Sequence, residues 1–177
     1  MIKYEVDVII KTEGENRYRY LYEKTWNSTK KYIICILFNP SKADLYFNDN
    51  TLDRLVYEFK DEYGGIKVLN LFSIMETKLS DNYNTMKENE NFEFIKEYIR
   101  ENTMSNFFVG WGNSFDDYPE VYINEGKNRK KEIELLFKKL EMKDRVFCYR
   151  NNAGKRGLHP SKYRKEWNWK VDKYFKR

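Results

Sequence analysis

Within 177 residues one histidine occurs, His159, in the stretch Gly157-Leu158-His159-Pro160-Ser161 directly after the basic pair Lys155-Arg156. An imidazole has an ordinary pKa of about 6.5, so beside a buried strand end it can stay neutral and donate one hydrogen bond to a developing oxyanion. A lone histidine can equally be an exposed or structural side chain. A second stretch with chemical content is Asn39-Pro40-Ser41-Lys42-Ala43-Asp44. It holds an amide, a hydroxyl and a carboxylate, and Asp49 and Asp53 follow near Thr51 and Arg54. One of these acids could serve as a general base; all three read as well as surface charge and helix caps. Asn70, in Asn70-Leu71-Phe72, offers the paired donor and acceptor of its amide, and Trp111 stands in Gly110-Trp111-Gly112-Asn113.

These residues share a position: each follows an apolar run. Ile33 to Phe38 is unbroken and rich in β-branched or large side chains, as in a strand buried on both faces of a parallel sheet. Pro40 cannot donate to a ladder, and Asn, Ser and Asp bond their own backbone, so residues 39 to 44 should form a structured loop or an ordinary strand-to-helix turn. Further strands are expected at Ile66 to Leu69, Phe107 to Val109 and Arg145 to Tyr149. Between them, Leu52, Leu55, Val56 and Phe59 mark a helix capped at Asn50-Thr51. Two more helices are expected near 89 to 101 and 128 to 141. This alternation predicts an α/β fold of three layers, αβα, around a central four-stranded parallel sheet. All four strand-end loops then lie on one rim, where Asn39, Asn70, Trp111 and the loop of His159 can line one pocket.

Two segments flank that core. Residues 4 to 11 and 17 to 24 read as an N-terminal antiparallel β-hairpin, in which Arg17 and Arg19 alternate with Tyr18 and Tyr20. One face of that arm packs, and the other meets solvent or an anion. A basic helix carrying Trp167, Trp169 and Tyr174 is expected over about 162 to 175. The chain is read as a single domain, 1 to 177, with the hairpin in 1 to 30, the core in 31 to 160 and the C-terminal helix in 161 to 177.

Composition narrows the class. Aromatics are 18% of the residues, too many for a disordered chain. Cys35 and Cys148 both fall in apolar runs, so a disulfide framework is not expected and a reduced, cytoplasmic setting is. No zinc-type spacing occurs, and neither a metal nor a cofactor is expected. No apolar run is long enough for a signal segment or a membrane span, so no membrane partner is expected. The net charge of +5 divides unevenly: residues 127 to 177 hold 18 Lys or Arg against 6 Asp or Glu. That basic third suits a phosphate-bearing partner, or is a solvated helix face. Nothing in the sequence marks an oligomeric state.

The motifs, in order, resemble the uracil-DNA glycosylase superfamily, whose first motif includes Asn-Pro variants and whose last is commonly His-Pro-Ser. Asn-Pro-Ser-x-Ala-Asp, Asp-x-Thr, Asn-Leu-Phe, Trp-Gly and His-Pro resemble more closely the family called domain of unknown function 1643, over about residues 17 to 163. The first resemblance implies a uracil-DNA-glycosylase-like fold and N-glycosidic hydrolysis of a nucleobase, modified bases included, in DNA or a nucleotide. It implies Asn39 as the residue that positions or activates water and His159 as the residue that stabilises the departing base; Asp44, from the acids of the loop, is the other candidate to hold the water. Asn70 is implied at the base edge, with Phe72, Ser41 and Trp111 completing the base-binding set and Trp111 as pocket wall. The basic segment Lys155, Arg156, Ser161, Lys162 and Arg164 would track phosphates, with Tyr163 or Trp167 available for stacking. The expected partner is therefore nucleic acid, DNA and single-stranded DNA included, or a nucleotide. Two departures stand out: Leu37 occupies the place of a glycine in the glycosylase first motif. Lys162 follows His-Pro-Ser where many glycosylases have Pro-Leu with its wedge leucine. The competing expectations are a module that binds a nucleotide or modified base without cleaving it, and a purely structural interaction protein.

Overall fold

The computed structural model describes residues 5–40, 49–76, 78–81, 83–113, 118–163 and 168–176. Seven strands form one mixed sheet: β1 Glu5–Glu13, β2 Asn16–Thr25, β3 Tyr32–Leu37, β4 Gly65–Asn70, β5 Asn106–Val109, β6 Val146–Arg150 and β7 Lys170–Lys173. Their order across the sheet is β1-β2-β4-β3-β5-β6-β7. Pairs β4/β3, β3/β5 and β5/β6 are parallel. The hairpin is not an appendage, because β2 pairs antiparallel with β4 and extends the sheet.

The apolar runs alternate between the two faces with the period of two that a pleated strand imposes. Ile34, Ile36 and Phe38 enter one core, and Ile33, Cys35 and Leu37 the other. Helix α1, Asn50–Phe59, closes the second core with Leu52, Leu55 and Phe59. Helices α2, Thr85–Glu101, and α3, Glu120–Lys139, close the first, with Phe92, Ile95 and Ile99 from one and Tyr122, Ile133 and Phe137 from the other. The chain thus leaves β3 toward one face of the sheet and β5 toward the other. Such a divergence between adjacent parallel strands opens a crevice at their carboxyl ends.

Several expectations are corrected. Residues 170–173 form a strand, not part of a basic helix; β7 pairs antiparallel with β6. The side chains explain why: Trp169 and Val171 pack on one core and Tyr174 enters the other, an alternation a helix would not give. Residues 164–167, including Arg164 and Trp167, lie outside the described residues. The cap of α1 is Asp49, whose carboxylate accepts from the Leu52 N–H at 2.7 Å, one residue before the expected Asn50-Thr51. Helix α3 begins eight residues earlier than expected, through Gly126. That glycine is required: a Cβ there would lie 2.9 Å from the Phe38 ring.

In β2, a bulge opposite Ile9/Ile10 leaves Tyr18 and Tyr20 in one core and puts Tyr22 in the other. Arg19, read as facing solvent or an anion, is 2% exposed. The segment after β4 is held by a charged network that the sequence did not announce. Buried Glu88 accepts from the backbone N–H groups of Ser73 and Ile74 at 2.8 and 3.0 Å, and buried Arg129 donates to Leu71 O at 2.7 Å. Their charges lie 3.7 Å apart.

Candidate functional site

A cavity of about 600 Å³ lies over the carboxyl ends of β3 and β5. Its wall takes most of its residues from six parts of the chain: Arg19 of β2, Leu37 to Asn39 at the end of β3, Asp49 to Leu52 at the start of α1, Trp111 to Asn113 after β5, the loop of Lys155 to Lys162, and Trp169. Glu76 and Tyr118 complete it. The Tyr118 ring stacks on Phe38, 5.1 Å between centroids and 5° from parallel, which makes part of this wall flat and aromatic.

His159 lines the cavity. Pro160 opens a single 3-10 turn over 160–162, and His159 caps it through Nδ1, which accepts from the Ser161 N–H at 3.2 Å and sits 2.8 Å from Ser161 Oγ. A ring nitrogen that accepts from a backbone N–H carries no proton, so the neutral imidazole holds its proton on Nε2. Burial lowers the pKa of His159 to about 4, with the positive charges of Lys162 and Lys130 acting the same way and Asp49 acting against them. The imidazole is therefore a neutral donor at physiological pH.

The loop that presents it is tied down from both sides. Gly112 N donates to Gly157 O at 2.8 Å, and Asn113 Nδ2 to Arg156 O at 2.7 Å. Gly157 has φ +68°, and a Cβ there would come 3.2 Å from Trp111 Nε1, so this contact needs glycine. On the other side the Arg54 guanidinium lies 3.6 Å from the Tyr163 ring centroid and donates through Nε to Tyr149 Oη at 3.0 Å, while it pairs with Glu58. Arg54 thus pairs with Glu58, one turn on, and not with the adjacent Asp53, as adjacency on a helix requires. Lys130 of α3 braces Gly112 by donating to its carbonyl at 2.6 Å, and burial brings its pKa down to about 7, partly offset by Glu134.

Asn39 also lines the cavity. Its Nδ2 donates to Glu76 O at 2.9 Å and Pro40 O at 3.2 Å, which fixes the amide and turns its acceptor, Oδ1, to other uses. Trp111 forms wall, buried and edge-on to Tyr174. Lys155, Ser161 and Lys162 line the mouth as exposed side chains.

Other expected site residues are placed elsewhere. Asn70 is 1% exposed and does not line the cavity: its Oδ1 accepts from Arg19 Nη2 at 3.2 Å, so the amide orients a cavity residue. Phe72 is core, between Phe38 and Tyr122 and beneath Arg129. Arg156 is turned to Tyr174, donating to its carbonyl at 3.0 Å, and to Glu134 at 3.7 Å. Ser41, Asp44 and Arg164 lie outside the described residues. Arg19, Lys130, Glu76 and Tyr118 were not among the residues expected at the site. Of these only Arg19 had a sequence signal, its place in an alternating basic and aromatic strand.

Both cysteines are buried free thiols, and burial raises their pKa values, which removes them as nucleophiles. Among the described residues no group of three or more His, Cys, Asp or Glu side chains could hold a metal ion. No helix among them is long and apolar enough to cross a membrane.

No curated protein and no solved structure matches the chain. A family model does, over residues 19–161, an interval that opens on Arg19 of the cavity wall and closes on Ser161 beside the histidine. The chain belongs to that family, described as protein of unknown function, DUF1643.

Proposed function

We propose that the cavity binds a nucleobase with its sugar and phosphate, in DNA or as a nucleotide, and that the protein hydrolyses the N-glycosidic bond. The observation that carries this reading is the fixed, neutral His159, whose Nε2 holds its proton in a cavity shared with the acceptor Oδ1 of Asn39. In the reaction the water oxygen bonds to C1′ of the sugar as the C1′–N bond breaks, and the bonding pair leaves with the base. Negative charge grows on the base, and a neutral N–H donor stabilises it without having to lose a proton. Asn39 Oδ1 accepts from the attacking water and aims it; the proton the water releases passes to the base or to solvent. The stacked Tyr118 suits a flat ring, and Lys155, Ser161 and Lys162 suit a phosphate at the mouth. The resemblance to uracil-DNA glycosylases supports the same roles for Asn39 and His159. The absence of a wedge leucine after His-Pro-Ser favours single strands or nucleotides over duplex.

One observation favours binding without cleavage. Among the described residues, the two carboxylates that line the cavity have structural duties, Asp49 as the cap of α1 and Glu76 as acceptor from Ser80, and an amide at Asn39 cannot take a proton from water. Product analysis separates the readings. The protein is incubated with uracil-containing single- and double-stranded DNA and with the four nucleoside monophosphates, and released base is measured by chromatography. Hydrolysis predicts release that falls by about a hundredfold or more in His159→Ala and Asn39→Ala. Tight binding with no release establishes the binding module, and neither binding nor release refutes both readings.

A further inference from the structure

Another cavity, of about 350 Å³, lies at the amino ends of the parallel strands, the opposite end of the sheet from His159. Three of its lining residues each stand directly before a strand: Lys31 before β3, Ser105 before β5 and Arg145 before β6. Those strands are parallel neighbours, with Ile33 beside Asn106 and Phe107 beside Val146, so the three residues come to adjacent places, about 5 Å from one strand to the next. Their side chains are little engaged. Arg145 donates to Met104 O at 3.0 Å and reaches Met104 Sδ at 4.0 Å, both neutral partners, which leaves it further N–H groups and its whole charge. Lys31 is exposed, and neither its ammonium nor Ser105 Oγ makes a hydrogen bond or ion pair among the described residues.

Among the described residues no carboxylate lines this cavity. Its third cation, Lys67, is neutralised by Glu23 at 3.0 Å. Glu62 and Glu101 are exposed and act on Tyr63 and Tyr98 from outside the wall, where solvent screens them. Lys31 and Arg145 therefore remain, two charges that match a phosphate monoester, which carries about −1.5 to −2 at pH 7. The volume is that of a small-molecule site rather than of a bare ion. Asn102 Nδ2 donates to Tyr98 O at 2.8 Å and Asn106 Nδ2 to Tyr63 Oη at 2.9 Å, which engages the donor end of each amide and leaves the acceptor Oδ1 for hydroxyl groups. Tyr32 and Ile34 add apolar surface for a carbon skeleton. From this juxtaposition we propose that the cavity is a site for a small sugar phosphate, its phosphate held by Lys31, Ser105 and Arg145 and its hydroxyls by Asn102 and Asn106. The site is separate from the cavity of His159, and the proposal does not depend on the nucleotide reading.

The test is calorimetric titration of the full chain with ribose 5-phosphate, glucose 6-phosphate, ribose, inorganic phosphate and octathymidylate. At least one of the two esters is expected to bind about tenfold or more tightly than inorganic phosphate, with ribose unbound. Arg145→Met should weaken that binding about tenfold or more. Lys155→Met combined with Lys162→Met, at the other cavity, should leave it within about twofold. Should Arg145→Met lack a folded melting profile, Lys31→Met, which removes a side chain without a partner in the fold, should weaken the same binding about fivefold or more. Binding that is lost in the Lys155 and Lys162 variant and kept in Arg145→Met overturns the proposal, because the ester then sits in the other cavity. Inorganic phosphate binding as tightly as the esters overturns it as well, and so does no binding of either ester. Octathymidylate bound through Arg145 in their place overturns it in favour of a nucleic-acid backbone contact.

Discussion

The protonation of His159 can be measured without assignment, because the chain has one imidazole. Burial brings its pKa from the ordinary 6.5 down to about 4, and the Ser161 N–H fixes the proton of the neutral ring on Nε2. At pH 5.5 an ordinary imidazole is protonated roughly ten to one, whereas this one should be neutral roughly thirty to one. Long-range nitrogen NMR across pH 3 to 8 should give a midpoint near 4 and the Nε2–H signature above it. The same shift has a stability consequence with a definite sign. The unfolded chain binds the proton more tightly, so stability rises with pH between about 4 and 6.5, is flat above, and is reduced by the full amount below 4. A wholly desolvated ring would contribute up to about 3 kcal/mol across that window, and partial exposure screens it to about 1 to 2 kcal/mol. The contribution is read as the wild-type minus His159→Asn difference in urea unfolding at several pH values, since the amide oxygen can still cap the Ser161 N–H. A midpoint near 6.5, or a difference independent of pH, would refute the reasoning and with it the neutral donor.

Two perturbations test the frame around the site. Glu88→Ala removes the acceptor for two buried N–H groups and the partner charge of Arg129, and should cost about 3 to 5 kcal/mol in denaturant unfolding; a loss under about 1 kcal/mol would show that the network does not hold the segment after β4. Lys130, with a folded pKa near 7 against 10.5 unfolded, binds its proton less tightly when folded, so the wild type should gain stability relative to Lys130→Met as pH rises from about 7 to 10.5. Parallel stability curves for the two proteins over that range would contradict the burial of a reluctant cation at Gly112.

How much of this was legible in the sequence depended on the range of the cause. The runs Ile33 to Phe38 and Phe107 to Val109 announced buried strands because the apolar pattern is local and strong. The periodic faces of α1 and α2 were equally plain. The strand β7 was not, because Trp167, Trp169 and Tyr174 can be set on a helix as easily as on a strand until β6 supplies the partner. The site shows the same division. Asn39 and His159 follow strands and sit in the cavity, as parallel order requires. Asn70 is the last residue of β4, yet the next strand outward, β2, brings Arg19 across its end, and the amide orients that arginine from outside the wall. The burial of Arg19 depends on a bulge in a strand pairing, and no single-strand pattern records such a bulge.

The cavity wall joins residue 19 to residue 169, with six other segments between them. On the ribosome all four parallel strands are therefore synthesised before the wall can close, and a nascent chain that already has those four strands still has no receptor for a ligand. Once closed, an occupant bridges the hairpin, two crossovers and the final strand at once. Occupancy at a hundred times the dissociation constant would then add about 2.7 kcal/mol against unfolding of the whole molecule, which makes melting temperature a direct screen for what this cavity takes.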